Sequence, residues 1–146
     1  MNENNPCPCG SGSPLKACCK PFIDGTATAP TAEALMRSRY TAYTLQDIDY
    51  LESTLDSSQL RDFDKDATAK WARDAIWMGL EIVQTSAGAS DDNEGTVEFK
   101  ARYKQNGVVQ EHHEVSRFQK TDGTWLYSGG KDIGPVQFQR EAPKTG

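Results

Sequence analysis

The sequence predicts an α+β fold in which N-terminal helices pack on a curved antiparallel sheet, preceded by a small cysteine knuckle. Three observations carry that prediction. Apolar residues recur at helical spacing between Ala32 and Met78. From Leu80 onward the period changes to two. Asn106-Gly107 and Asp122-Gly123, each set between alternating runs, are two-residue hairpin signals. At 146 residues the chain is one domain's worth with a small appendage. We divide it into a knuckle over 1–25, an α+β domain over 26–140 and a disordered tail over 141–146.

The knuckle holds all four cysteines of the chain, Cys7, Cys9, Cys18 and Cys19. Two thiols one residue apart and two adjacent thiols can converge, because the eight residues between Cys9 and Cys18 let the chain fold back on itself. Four thiolates match the closed tetrahedral set of a structural Zn²⁺, one per chain. Gly10 and Gly12 can adopt positive φ and let a turn aim backbone N–H groups at sulfur. A pair of disulfides is the alternative. It fits poorly with a sequence that reads as lacking a secretory signal, so the chain is expected in the reducing cytoplasm. A closed site leaves no position for substrate, so the expected zinc folds the segment and does not catalyse.

Cys-x-Cys-x8-Cys-Cys with Gly10, Gly12 and Lys16 resembles the SEC-C motif, the zinc-binding segment also found at the C-terminus of the SecA translocation ATPase. The resemblance covers about the first twenty residues. By similarity to that protein, it implies a protein partner from the secretion or translation machinery.

Phe22 to Pro30 reads as a linker. Thr31 can cap a helix from Ala32, with Leu35, Met36, Tyr40 and Tyr43 at helical spacing. Arg37 and Arg39 interrupt these apolar positions: either their stems cover apolar surface while the guanidinium groups reach water, or one of them turns inward to a carboxylate. Asp47 can cap a short helix whose Ile48, Leu51 and Leu55 form one face; Asp64 or Asp66 can cap another carrying Trp71, Ala75 and Met78, ended by Gly79. Strands are expected over 80–85, 96–104, 108–120 and 124–128.

The turns fix a register. It places Val97, Phe99, Ala101, Tyr103, His112, Glu114, Ser116, Phe118, Trp125 and Tyr127 on the face that the helices cover. Glu98, Lys100, Arg102, Glu111, His113 and Arg117 fall on the other face, where Arg102 opposes Glu111. A bulge in the third strand would shift part of this assignment. His112, Glu114 and Ser116 thus form a polar row within an apolar face and need partners. Arg37 or Arg39 is the expected partner of Glu114. The alternative is a ligand cavity in which His112, Glu114, Ser116, Arg37 and Tyr40 surround a small molecule.

Helices followed by a curved sheet with such a face are similar to the cystatin-like cone of nuclear transport factor 2. The segments Met36–Tyr43, Val97–Ala101, Glu114–Phe118 and Trp125–Tyr127 resemble the YchJ family of SEC-C proteins in the same order. That resemblance implies a zinc motif on a nuclear transport factor 2-like domain and implies no activity.

Net charge is −5, and seven acids against Arg61 and Lys65 between Leu45 and Asp66 account for it. The remaining chain is balanced, which argues against general nucleic-acid binding and leaves only a local contact through Lys16 and Lys20. No apolar run is long enough to span a membrane. The expected role is a non-enzymatic interaction module, with the cone as scaffold or homodimerising body; the alternative is a small-ligand binder or enzyme using the cavity.

Overall fold

The computed structural model describes residues 2–133. The predicted architecture is present: helices lie against one face of a four-stranded antiparallel sheet, with strands in sequence order. The elements are α1 (Lys20–Asp24), α2 (Ala32–Leu45), α3 (Ile48–Ser53), α4 (Ser57–Leu60), α5 (Lys65–Asp74), β1 (Ile76–Ala87), β2 (Glu94–Gln105), β3 (Val108–Thr121) and β4 (Thr124–Asp132). Helix starts follow the capping chemistry. Thr31 accepts from Ala34 N–H at 3.0 Å, Asp47 from Tyr50 N–H at 3.1 Å and Asp64 from Ala67 N–H at 2.9 Å.

The register is also as expected. Ala101 pairs with His112, Phe99 with Glu114, Val97 with Ser116, Phe118 with Tyr127 and Lys120 with Trp125. Positive φ at both central residues of each turn, Asn106-Gly107 and Asp122-Gly123, matches the twist of the flanking strands and so pins it. Val97, Phe99, Ala101, Phe118 and Trp125 form the core with Leu35, Met36 and Tyr40 of α2. On the far face Arg102 reaches Glu111 at 3.3 Å and His113 reaches Glu98 at 2.8 Å.

Four expectations are corrected. The helix through Trp71 ends at Asp74, not at Gly79. Trp77, Leu80 and Ile82 continue as strand against Tyr103, Ala101 and Phe99, and Gly79 follows a bulge at Met78 with φ 147°. The linker is shorter than Phe22 to Pro30, because Phe22 lies in α1, which Gly25 ends in a left-handed cap. Leu55 is not in α3, which ends at Ser53: it bridges to Tyr127 instead, and Asp56 then caps α4, a turn too short to show a period. The bulge between β3 and β4 belongs to β4: Arg117 pairs with Gly129 and Phe118 with Tyr127, leaving Ser128 extra. The expected tail over 141–146, and the end of the domain beyond residue 133, lie outside the described residues.

Candidate metal centre

Backbone geometry builds the knuckle before any sulfur chemistry enters. Pro6 and Pro14 form an isolated antiparallel bridge. Cys7 N–H donates to Ser13 C=O at 2.8 Å, and Leu15 N–H to Asn5 C=O at 2.9 Å. Between them the chain reverses through Gly10 at φ 82° and Gly12 at φ 93°, conformations that a side chain would strain. A 3-10 turn over Leu15–Ala17 then delivers Cys18 and Cys19, with Cys18 N–H donating to Leu15 C=O. Leu15 is buried among Cys7, Cys9 and Cys19 and packs with Ile23 and Leu80.

The four Sγ atoms lie within 4.8 Å of one another. Cys18 Sγ is 3.6 Å from Cys9 Sγ and 3.9 Å from Cys19 Sγ. Zn–S bonds of about 2.3 Å would place tetrahedral sulfurs roughly 3.8 Å apart. These two separations are already those of a tetrahedral thiolate site. Their acidities show what the cluster lacks alone. Hydrogen bonds from Cys19, Cys7 and Ser11 hold Cys9 far below the ordinary thiol range, whereas hydrogen bonds to Cys7 and Cys9 push Cys19 far up. Burial pushes Cys18 up to about 11, with the charges of Cys9 and Cys7 adding to it. One thiolate excludes its neighbours from ionising unless a cation sits among them. The clustered cysteines thus suggest metal binding.

The knuckle is not free on its linker. Cys7 Sγ lies 3.6 Å from Thr41 Oγ1 of α2, and Arg37 Nη1 of the same helix donates to Cys9 C=O at 2.8 Å while its Nε holds Glu33 at 3.0 Å. Trp125 Nε1 donates to Pro30 C=O at 3.2 Å and ties the linker to the core. Thr41 carries no metal-ligand signal, and its place under the knuckle could have been read only from its position one turn after Arg37.

These contacts correct the expected pairing of Glu114 with an arginine. Arg37 is committed to the knuckle. Arg39 Nη1 donates to Leu51 C=O at 2.8 Å and to Thr54 Oγ1 at 2.5 Å, and its guanidinium lies 4.8 Å from the centre of the Tyr127 ring. Glu114 instead accepts from Ser116 Oγ at 2.5 Å and Tyr127 OH at 2.9 Å, and pairs with His112 Nε2 at 2.7 Å. The tyrosine stands between the arginine and the carboxylate, so Arg39 addresses the ring and the phenol addresses Glu114. The room for the carboxylate comes from Gly130, where a Cβ would collide with Glu114 Oε2. Burial opposes the charge on both groups, but the His112 hydrogen bond and charge hold Glu114 below the usual carboxylate range, and Glu114 in turn raises His112.

Of the five cavity candidates, His112, Glu114 and Ser116 therefore meet in one network. Arg37 sits under the knuckle. Tyr40 lines a separate surface groove of about 410 Å³ with Pro8, Thr44, Ala75, Trp77, Met78 and Gly79.

Comparison with known proteins agrees with this anatomy. A family described as the middle, nuclear transport factor 2-like domain of YchJ matches residues 31–130. A UPF0225 protein of Geobacter sulfurreducens is 46% identical over 131 residues, covering 90% of this chain and 81% of that protein. One from Streptomyces coelicolor is 42% identical over 127 residues, covering 86% of this chain and 94% of its own. A solution structure of a SEC-C motif containing protein from Rhodopseudomonas palustris superposes with a TM-score of 0.80 at 39% identity, over 92% of this chain and all of that one. A crystal structure of a SEC-C motif containing protein from Psychrobacter arcticus gives 0.75 at 31% identity, over 92% of this chain and 86% of that one.

Proposed function

The chain belongs to the YchJ family, UPF0225, and from that premise we propose that it is a zinc-dependent protein-interaction module of the cytoplasm. In this reading Cys7, Cys9, Cys18 and Cys19 hold one structural Zn²⁺ per chain. The observation that carries it is the convergence of four sulfurs within 4.8 Å of one another on a backbone already hydrogen-bonded into a loop. Zinc would supply the charge that lets all four thiols ionise together, with Ser11 Oγ, 3.1 Å from Cys18 Sγ, and the Ser11 N–H as donors to the thiolates. Four sulfur ligands close the coordination sphere, which favours a structural ion over a catalytic one.

The interaction role is supported by what surrounds the knuckle. Pro8 shares the surface groove with Tyr40 and Trp77 of the cone, and Leu45, Ile76 and Met78 are exposed at or beside its wall. The exposed Ile76 and Met78 side chains beside a metal-shaped loop suit a protein partner, and the SEC-C resemblance points to the secretion or translation machinery. No helix among the described residues is long and apolar enough to cross a membrane.

Affinity capture with the intact protein, beside a variant carrying Cys18→Ser and Cys19→Ser and another carrying Met78→Glu, tests this role. The expected result is a partner retained by the parent and lost from both variants while the cone stays folded. A partner bound equally by all three would overturn the role of the knuckle and groove.

A further inference from the structure

We propose that His112 Nε2, Glu114 Oε1 and Asp132 Oδ1 form a second divalent-cation site, of nitrogen and oxygen donors, where β3 meets the end of β4. These atoms lie within 4.8 Å of one another. His112 Nε2 is 2.7 Å from Glu114 Oε1 and 3.8 Å from Asp132 Oδ1. The three side chains grade from a nearly buried glutamate, 12% exposed, through a histidine at 33% to an aspartate at 54%, which supplies both an anchored ligand and an entry path.

A hydrogen-bonded histidine and glutamate need no metal, but this group has more than a pair requires. Two carboxylates face one imidazole, so a negative charge is left over even with the ring protonated. Among the described residues no lysine or arginine comes within 4 Å of either carboxylate, because Arg39 is turned against the Tyr127 ring. The outer support of a ligand set is also in place. Ser116 and Tyr127 hydroxyls fix Glu114 Oε2 and leave Oε1 to face the histidine, and the His112 ring lies 5.9 Å from the Phe99 ring. Gly130 gives the carboxylate its seat.

A first-row divalent ion sits about 2.1 Å from such donors, which then stand roughly 3.0–3.4 Å apart. The histidine and glutamate would separate by under about 1 Å, and Asp132 would close on the histidine by a similar amount. The metal takes the place of the proton shared between Nε2 and Oε1, which passes to solvent. Mixed imidazole and carboxylate donors suit Ni²⁺, Co²⁺ or Mn²⁺, while zinc goes to the softer thiolates of the knuckle, and the open remaining positions would be filled by water.

Equilibrium dialysis of the intact, zinc-loaded protein against Ni²⁺, with both metals counted afterwards, tests the site. The expected result is one nickel per chain bound beside the knuckle zinc. Asp132→Asn, at an exposed position that tolerates the change, and His112→Gln should each lower nickel affinity by about tenfold or more while zinc content and circular dichroism stay unchanged. Tyr127→Phe should weaken it by a smaller factor. His113→Gln, whose imidazole lies on the opposite face, should bind nickel like the parent. Absence of bound nickel, nickel that enters only by displacing zinc, or nickel retained undiminished by Asp132→Asn would each overturn the proposal.

Discussion

Glu114 carries more of the inner face than its size suggests, because three donors from three different positions converge on one carboxylate. Removing it leaves the His112, Ser116 and Tyr127 donors without their acceptor in a largely buried place, a cost that buried networks pay in full. Glu114→Ala is expected to destabilise the domain by about 3 kcal/mol. Glu111→Ala removes only the exposed pair with Arg102 and is expected to cost about 0.5 kcal/mol. Denaturant melts of both variants compare them directly; equal losses would contradict the network. The sequence made the row of His112, Glu114 and Ser116 visible, since the turns dictate which residues share a face. It did not show their partners. Whether Arg39 reaches Glu114 or stacks on Tyr127 depends on how helix and sheet are rotated about each other, and no local pattern encodes that angle.

At the scale of elements, legibility followed how many independent signals each one had. β2, β3 and β4 have two turn dipeptides and a period of two, and their register could be derived residue by residue. α2, α3 and α5 have caps whose hydrogen bonds are present in the structure. Thr31→Ala, which removes the acceptor for Ala34 N–H, is expected to cost about 1 kcal/mol in a denaturant melt. A loss below a few tenths would mean that the bond between Ala32 N–H and Gly88 C=O already fixes the start of α2. Gly79 misled because glycine both ends helices and permits bulges, and only pairing with β2 distinguishes the two. α4 spans four residues, fewer than a period needs.

In the whole molecule, knuckle and cone meet through α2, with Arg37 and Thr41 on the cysteine loop and Leu80 of β1 against Leu15. The cone keeps its own core of α2 and sheet residues, so loss of metal should be felt locally. Hydrogen exchange after chelation is expected to show protection lost over 2–25 and weakened in α2 around Arg37 and Thr41, with β2 and β3 unchanged. Collapse of protection throughout the sheet would mean that the knuckle is part of one cooperative unit. The central claim, that the four cysteines form a zinc centre, is met most directly by native mass spectrometry of protein purified under reducing conditions. The account expects one zinc per chain, lost when Cys18 and Cys19 are changed to serine. A metal-free chain carrying two disulfides, or zinc retained by that double variant, would contradict it.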